Sequence, residues 1–168
     1  MPLLEQIDWS SLSPAKLWKQ LDVETREAAA RSIYSDPQGN SKAEADALIA
    51  QAMRFRPSAI RKLPTERRVQ YLLKSIPIDD GLASTMLMAL HLGPRAALLE
   101  GFLDNLGIPQ EGGLIDDGYD MQPPTAEALK TAIEKSREAH ADDEVDLYLA
   151  ALVALDSETW GAIPEALA

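Results

Sequence analysis

The chain has 168 residues, a formal charge of −11 and no cysteine. That length suits one ordinary domain with a single core, and the absent thiols exclude disulfides, thiolate nucleophiles and thiolate metal sites together. An acidic balance of this size argues against a general nucleic-acid or anionic-membrane surface.

The opening stretch MPLLEQIDWSSLS has no basic start and carries Glu5 and Asp8 in its apolar part, so it does not read as a signal peptide. Ser13-Pro14 reads as an N-cap followed by proline at the first helical position, opening a helix with Leu17, Trp18 and Leu21. Asp22 caps a second helix that runs to Ile33 and Tyr34. The next residues, SDPQGN (35–40), are turn chemistry. Ser41 with Glu44 forms a capping box before Ala45, Leu48, Ile49, Ala52 and Met53, which fall on one helical face.

Pro57 and Pro64 break the following stretch into a short helical turn and a helix from about Thr65, with Val69, Leu72, Leu73 and Ile76 inward. Asp79 or Asp80 caps the segment GLASTMLMALHLG, whose apolar residues lie nearly all round, as in a central covered helix. At about ten residues this run is too short to span a bilayer. Gly93-Pro94 closes that helix and starts another with Leu98, Leu99, Phe102, Leu103 and Leu106 on one face.

Residues 108–124, rich in Gly and Pro, form one long irregular segment, of a length often functional or flexible in compact domains. Two helices close the chain, one from Thr125 to about His140 and one from about Asp142, with Trp160 and Ile163 packing the tail. No useful length alternates with period two, so no sheet is expected. The phrases IPIDDG (76–81) and IPQEGG (108–113) lie 32 residues apart, a spacing within the range of helical repeats. Together these signals predict one all-α domain over residues 1–168, an irregular bundle or short stack of antiparallel helix pairs with seven or eight helices.

Function leaves fewer marks. There is no nucleophile elbow, phosphate-binding loop, H-E-x-x-H or dinucleotide fingerprint, and no cofactor or metal is expected. His91 sits between Leu90 and Leu92 and reads as a core histidine; His140 sits at a helix end, where a cation meets the negative dipole. His140 with Asp142, Asp143, Glu144 and Asp146 resembles a ligand cluster, but acids belong at a helix start in any case. Asp116, Asp117 and Asp120 are the better carboxylate group, yet the calcium-loop template fails at its sixth position, Met121.

The least ordinary feature is the charge distribution. Residues 54–74 hold Arg54, Arg56, Arg61, Lys62, Arg67, Arg68 and Lys74 against Glu66 alone, a local charge of +6. Residues 111–168 hold three basic and fourteen acidic residues, a charge of −11. Two readings follow. The basic segment either neutralises the chain's own acidic third, or presents Arg54, Arg56, Arg61, Lys62, Arg67, Arg68 and Tyr71, with Phe55, to an acidic protein. The leading expectation is a non-enzymatic interaction or adaptor domain in the cytoplasm, binding a protein partner or a second copy, with no membrane role. One alternative is a small-molecule-binding or metal-assisted enzyme using Asp116, Asp117 and Asp120 with His91 or His140. A second is nucleic-acid binding through residues 54–74, disfavoured because the remainder of the chain is strongly acidic.

Overall fold

The computed structural model describes residues 2–36 and 40–168, so the turn read over 35–40 lies partly outside the described residues. The chain divides into two compact units, residues 21–94 and residues 1–20 with 95–168. Both are all-α apart from one small hairpin. The expectation of seven or eight helices falls short: among the described residues, seven helices have ten residues or more, and five shorter ones join them. The short ones arise where prolines and single caps allow only a turn or two, which leaves little periodic pattern to read.

The unit over 21–94 contains α3 (Val23–Tyr34), α4 (Asn40–Met53), α5 (Pro57–Arg61), α6 (Thr65–Ser75) and α7 (Asp80–Leu92). Helix α3 begins where the Asp22 carboxylate accepts the Thr25 N–H at 2.7 Å, and α7 where Asp79 accepts the Leu82 N–H at 2.9 Å. Helix α3 packs on α4, α6 and α7, which is possible because Ala29 and Ala30 let neighbours approach closely. Two expectations are corrected here. Helix α4 already includes Ser41, so the Ser41–Glu44 pair does not cap it. Helix α7 is not covered all round, since Met88 is 49% exposed and Leu92 is also open.

The other unit contains α1 (Leu3–Gln6), a 3-10 turn (Trp9–Ser11), α2 (Pro14–Gln20) and α8 (Ala96–Asn105). After them come α9 (Ala126–Ala139), α10 (Asp142–Leu155), α11 (Ser157–Trp160) and α12 (Ile163–Leu167). Ser13 accepts the Lys16 N–H at 3.3 Å, as its place before Pro14 implies. Helix α9 packs on α8, α10 and α12, and α10 packs also on α1, α2 and α11. Their shared core is centred on Phe102, whose ring meets Tyr148 edge-on at 5.2 Å and Trp160 at 6.0 Å. Burial holds the Tyr148 phenol well above its ordinary pKa.

Residues 108–124, read as wholly irregular, contain an antiparallel hairpin of β1 (Gln110–Glu111) and β2 (Leu114–Ile115). Gly112 and Gly113 have φ of 61° and 85°, the paired positive values that a two-residue primed turn requires. Gln110 pins the hairpin to α8, donating to Asp104 at 3.0 Å and accepting the Gly113 N–H at 2.8 Å. The two repeat-like phrases therefore diverge: 76–81 leads into α7, and 108–113 turns back on itself.

Phe102 is fully buried and touches aromatic partners from two other helices. Phe102→Ala should cost about 3–5 kcal/mol by transfer loss plus cavity formation, measured as a shift in the urea unfolding curve. A loss below about 1 kcal/mol would mean that this ring does not centre the core.

Candidate functional site

The basic segment 54–74 spans the end of α4, all of α5 and most of α6. Its residues do not share one fate. Arg54, Arg56, Arg61, Lys62, Arg67 and Lys74 are exposed, Tyr71 is half-buried, and Arg68 is buried at 7% exposure.

Arg68 lies on the inner face of α6 beside Val69 and Leu72. Its guanidinium donates to the Asp46 carboxylate of α4 at 3.2 Å, to the Arg61 carbonyl at 2.6 Å and to the Leu63 carbonyl at 3.0 Å. It also lies 5.4 Å from the centre of the Tyr34 ring, while the Tyr34 hydroxyl donates to the second Asp46 oxygen at 3.2 Å. Burial first, then the charge and hydrogen bond of Asp46, push the Tyr34 phenol well above its ordinary pKa. One arginine thus ties α3, α4, α6 and the α5–α6 turn together. It positions these elements, and only a small edge of its side chain is exposed.

The segment's single acid is turned elsewhere. Glu66 takes a two-pronged hydrogen bond from Arg31 of α3, at 2.6 Å and 3.0 Å. Among the described residues, Arg54, Arg56, Arg61, Lys62 and Lys74 make no ion pair, and Arg67 lies over Tyr71 with its guanidinium 5.8 Å from the ring centre. The charge in this unit is neutralised at Arg68 and left open around it.

The backbone that presents the open part is unusual. Helix α4 ends in a Schellman motif: the Phe55 N–H reaches the Ala50 carbonyl at 2.9 Å and the Arg54 N–H reaches Gln51 at 3.4 Å. This motif requires a left-handed residue, here Arg54 at φ 57°. Helix α8 ends in the same way, with Ile108 bonded to Leu103 and Gly107 to Asp104, but uses glycine at φ 71°. There the next residue, Ile108, is buried at 5% exposure; after Arg54, Phe55 stands 48% exposed. The α4 cap therefore carries a strained arginine and an unburied aromatic where α8 has a relaxed glycine and a core residue.

The other candidate groups are less convergent. Asp116, Asp117 and Asp120 are exposed, and among the described residues no three His, Asp or Glu side chains come together to hold a metal ion. His91 is buried, and its Nδ1–H donates to the Leu87 carbonyl at 2.9 Å, since a carbonyl can only accept. His140 is the residue after α9, its backbone N–H bonded to Ser136. The acids near it have other duties: Asp142 and Asp146 receive Arg137 at 3.2 Å and 2.7 Å, Glu144 lies 4.0 Å from Arg95, and Asp143 accepts the Glu144 N–H. Ala141 occupies the N-cap of α10, so Asp142 and Asp143 sit inside its first turn.

Two outcomes test this geometry. Asp46→Ala leaves the Arg68 charge buried with only carbonyl partners and should cost about 3 kcal/mol. The double change Asp46→Leu with Arg68→Met should cost clearly less, and equal losses in urea unfolding would refute a coupled pair. Arg54→Gly removes left-handed strain at no cost in buried contacts and should add about 0.5–1 kcal/mol; a loss of stability on the same curve would show that the strain is not real.

No known protein family, characterised protein or solved structure matches the chain.

Proposed function

We propose that the chain is a non-enzymatic interaction module that docks an acidic protein segment on the basic, aromatic surface at the end of α4, α5 and the outer face of α6. The contacting side chains are Arg54, Phe55, Arg56, Arg61, Lys62, Arg67 and Tyr71. What supports this reading is one observation: Arg54 is held at positive φ beside an exposed Phe55, in a capping motif that elsewhere in the chain uses glycine and a buried isoleucine. Strain of this kind is retained where it serves a site, because stability alone would favour glycine.

The chemistry of the partner follows from charge. Exposed arginine forks bind carboxylates in pairs, and an aromatic between two arginines adds apolar contact without a pocket. Nucleic acid fits less well, because the whole chain is at −11 and would repel a long phosphate backbone. Among the described residues no single helix is long and apolar enough to cross a membrane. Arg68 supports this surface from beneath, through its bonds to Asp46 and to the Arg61 and Leu63 carbonyls.

A fluorescently labelled polyglutamate peptide and a single-stranded oligonucleotide of equal length serve as probes for the intact chain. Polyglutamate should bind the tighter of the two, with affinity falling as salt rises. The variant carrying Arg54→Glu, Arg56→Glu and Arg67→Glu should weaken it about tenfold to a hundredfold, as three exposed pairs allow. Equal binding by that variant, or tighter binding of the oligonucleotide, overturns the proposal.

A further inference from the structure

We infer that the hollow between α4, α5 and α6 is a phosphoryl-binding subsite, built from residues distinct from the Arg54–Phe55–Arg56 tip. It is a shallow, open hollow of about 280 Å³, lined by Lys42, Ala43 and Asp46 of α4, Arg61 of α5 and Arg68 of α6. Three cations face one carboxylate there, a lining charge of +2. A phosphomonoester carries −1.5 to −2 at neutral pH and offers three strong acceptor oxygens, so its charge matches the lining where a single carboxylate would not.

The donors in this hollow are not fully used. A guanidinium has five N–H groups, and Arg68 gives one each to Asp46, Arg61 and Leu63, leaving one hydrogen on each terminal nitrogen. Being buried and held at three points, the Arg68 side chain borders the hollow in one fixed orientation, with little ordering cost. Lys42 and Arg61 make no ion pair among the described residues. Lys42 also stands in the first turn of the fourteen-residue α4, at the positive end of its dipole. Asp46 repels an incoming anion less than its charge suggests, since one oxygen faces Arg68 and the other accepts from Tyr34.

The subsite deepens the docking reading, and rests on it only for the source of the phosphoryl group: free phosphate, or a phosphorylated side chain on the acidic partner. Titration calorimetry of the intact chain with inorganic phosphate, and with an acidic peptide in phosphoserine and serine forms, separates the sources. Binding of inorganic phosphate identifies a free anion as sufficient. Binding of the phosphoserine form alone, at least about tenfold tighter than the serine form, identifies a modified partner. In either case Lys42→Ala with Arg61→Ala should weaken the phosphoryl ligand about tenfold or more, and where inorganic phosphate binds, Arg54→Glu with Arg56→Glu should leave its affinity unchanged. Lys42→Met serves as a second variant, because the Lys42 side chain makes no hydrogen bond among the described residues and its loss spares the fold. Failure of both probes to bind the native chain, or undiminished binding by the Lys42 variants, overturns the subsite. Because Arg54, Arg56 and Arg67 lie outside the hollow, the loss of polyglutamate binding in their triple variant reports on the docking surface and keeps the two failures distinct.

Discussion

The unit over residues 21–94 depends on how one buried guanidinium is satisfied. Taking an arginine out of water costs several kcal/mol unless its charge and its N–H groups are met. Arg68 is met by an acid from α4, by two carbonyls of the α5–α6 turn and by the face of an aromatic ring from α3. Helix α5 has five residues, far too few to persist alone. Its last carbonyls would have no helical partner, and Arg68 occupies two of the acceptors at that end. The placement of Arg61 and Lys62, and so the shape of the basic surface, follows from a residue that is itself almost wholly buried.

Most of the architecture was legible because helices leave a periodic record. The helices of ten residues or more and the Ser13, Asp22 and Asp79 caps could be read from leucine and alanine spacing and from short polar residues in front of it. The hairpin could not be read from alternation, since a two-residue strand has no period; its only signal was the Gly-Gly pair, which a two-residue turn favours. Along the sequence Arg68 is indistinguishable from its exposed neighbours, because seven cations in twenty-one residues look uniform in one dimension. A better signal lay on the helical wheel. Arg68 precedes Val69 and Leu72 on the buried stripe of α6, and Asp46 shares its stripe with Ala45, Ile49 and Ala50 on α4. Opposite charges, each on the apolar side of its own helix, are the mark of a buried pair.

The two Schellman caps separate what a fold needs from what it merely carries. Both helices meet the same hydrogen-bonding demand with the same bonds, so the backbone requirement is identical. Glycine satisfies it without steric penalty at Gly107, and the following Ile108 gains burial. Arginine satisfies it at Arg54 only against a penalty, and the following Phe55 gains little burial. Folding alone gives no reason for that choice. The excess is therefore chemical, a cation and an aromatic ring fixed in place at a helix end.

The ion pairs among the described residues form at short range within each unit. Three of the acids in the first turns of α10, Asp142, Glu144 and Asp146, lie against Arg137 of α9 or Arg95 before α8, which converts an apparent ligand cluster into ties between elements. In the other unit Asp46 takes Arg68 and Glu66 takes Arg31. Once these local pairs are formed, the acid inside the basic segment is spent and its remaining cations are exposed. Exposed like charges repel one another and add nothing to stability. Their persistence beside a hollow of matching sign is easier to understand if an anionic partner, rather than the fold, supplies the missing counter-charge.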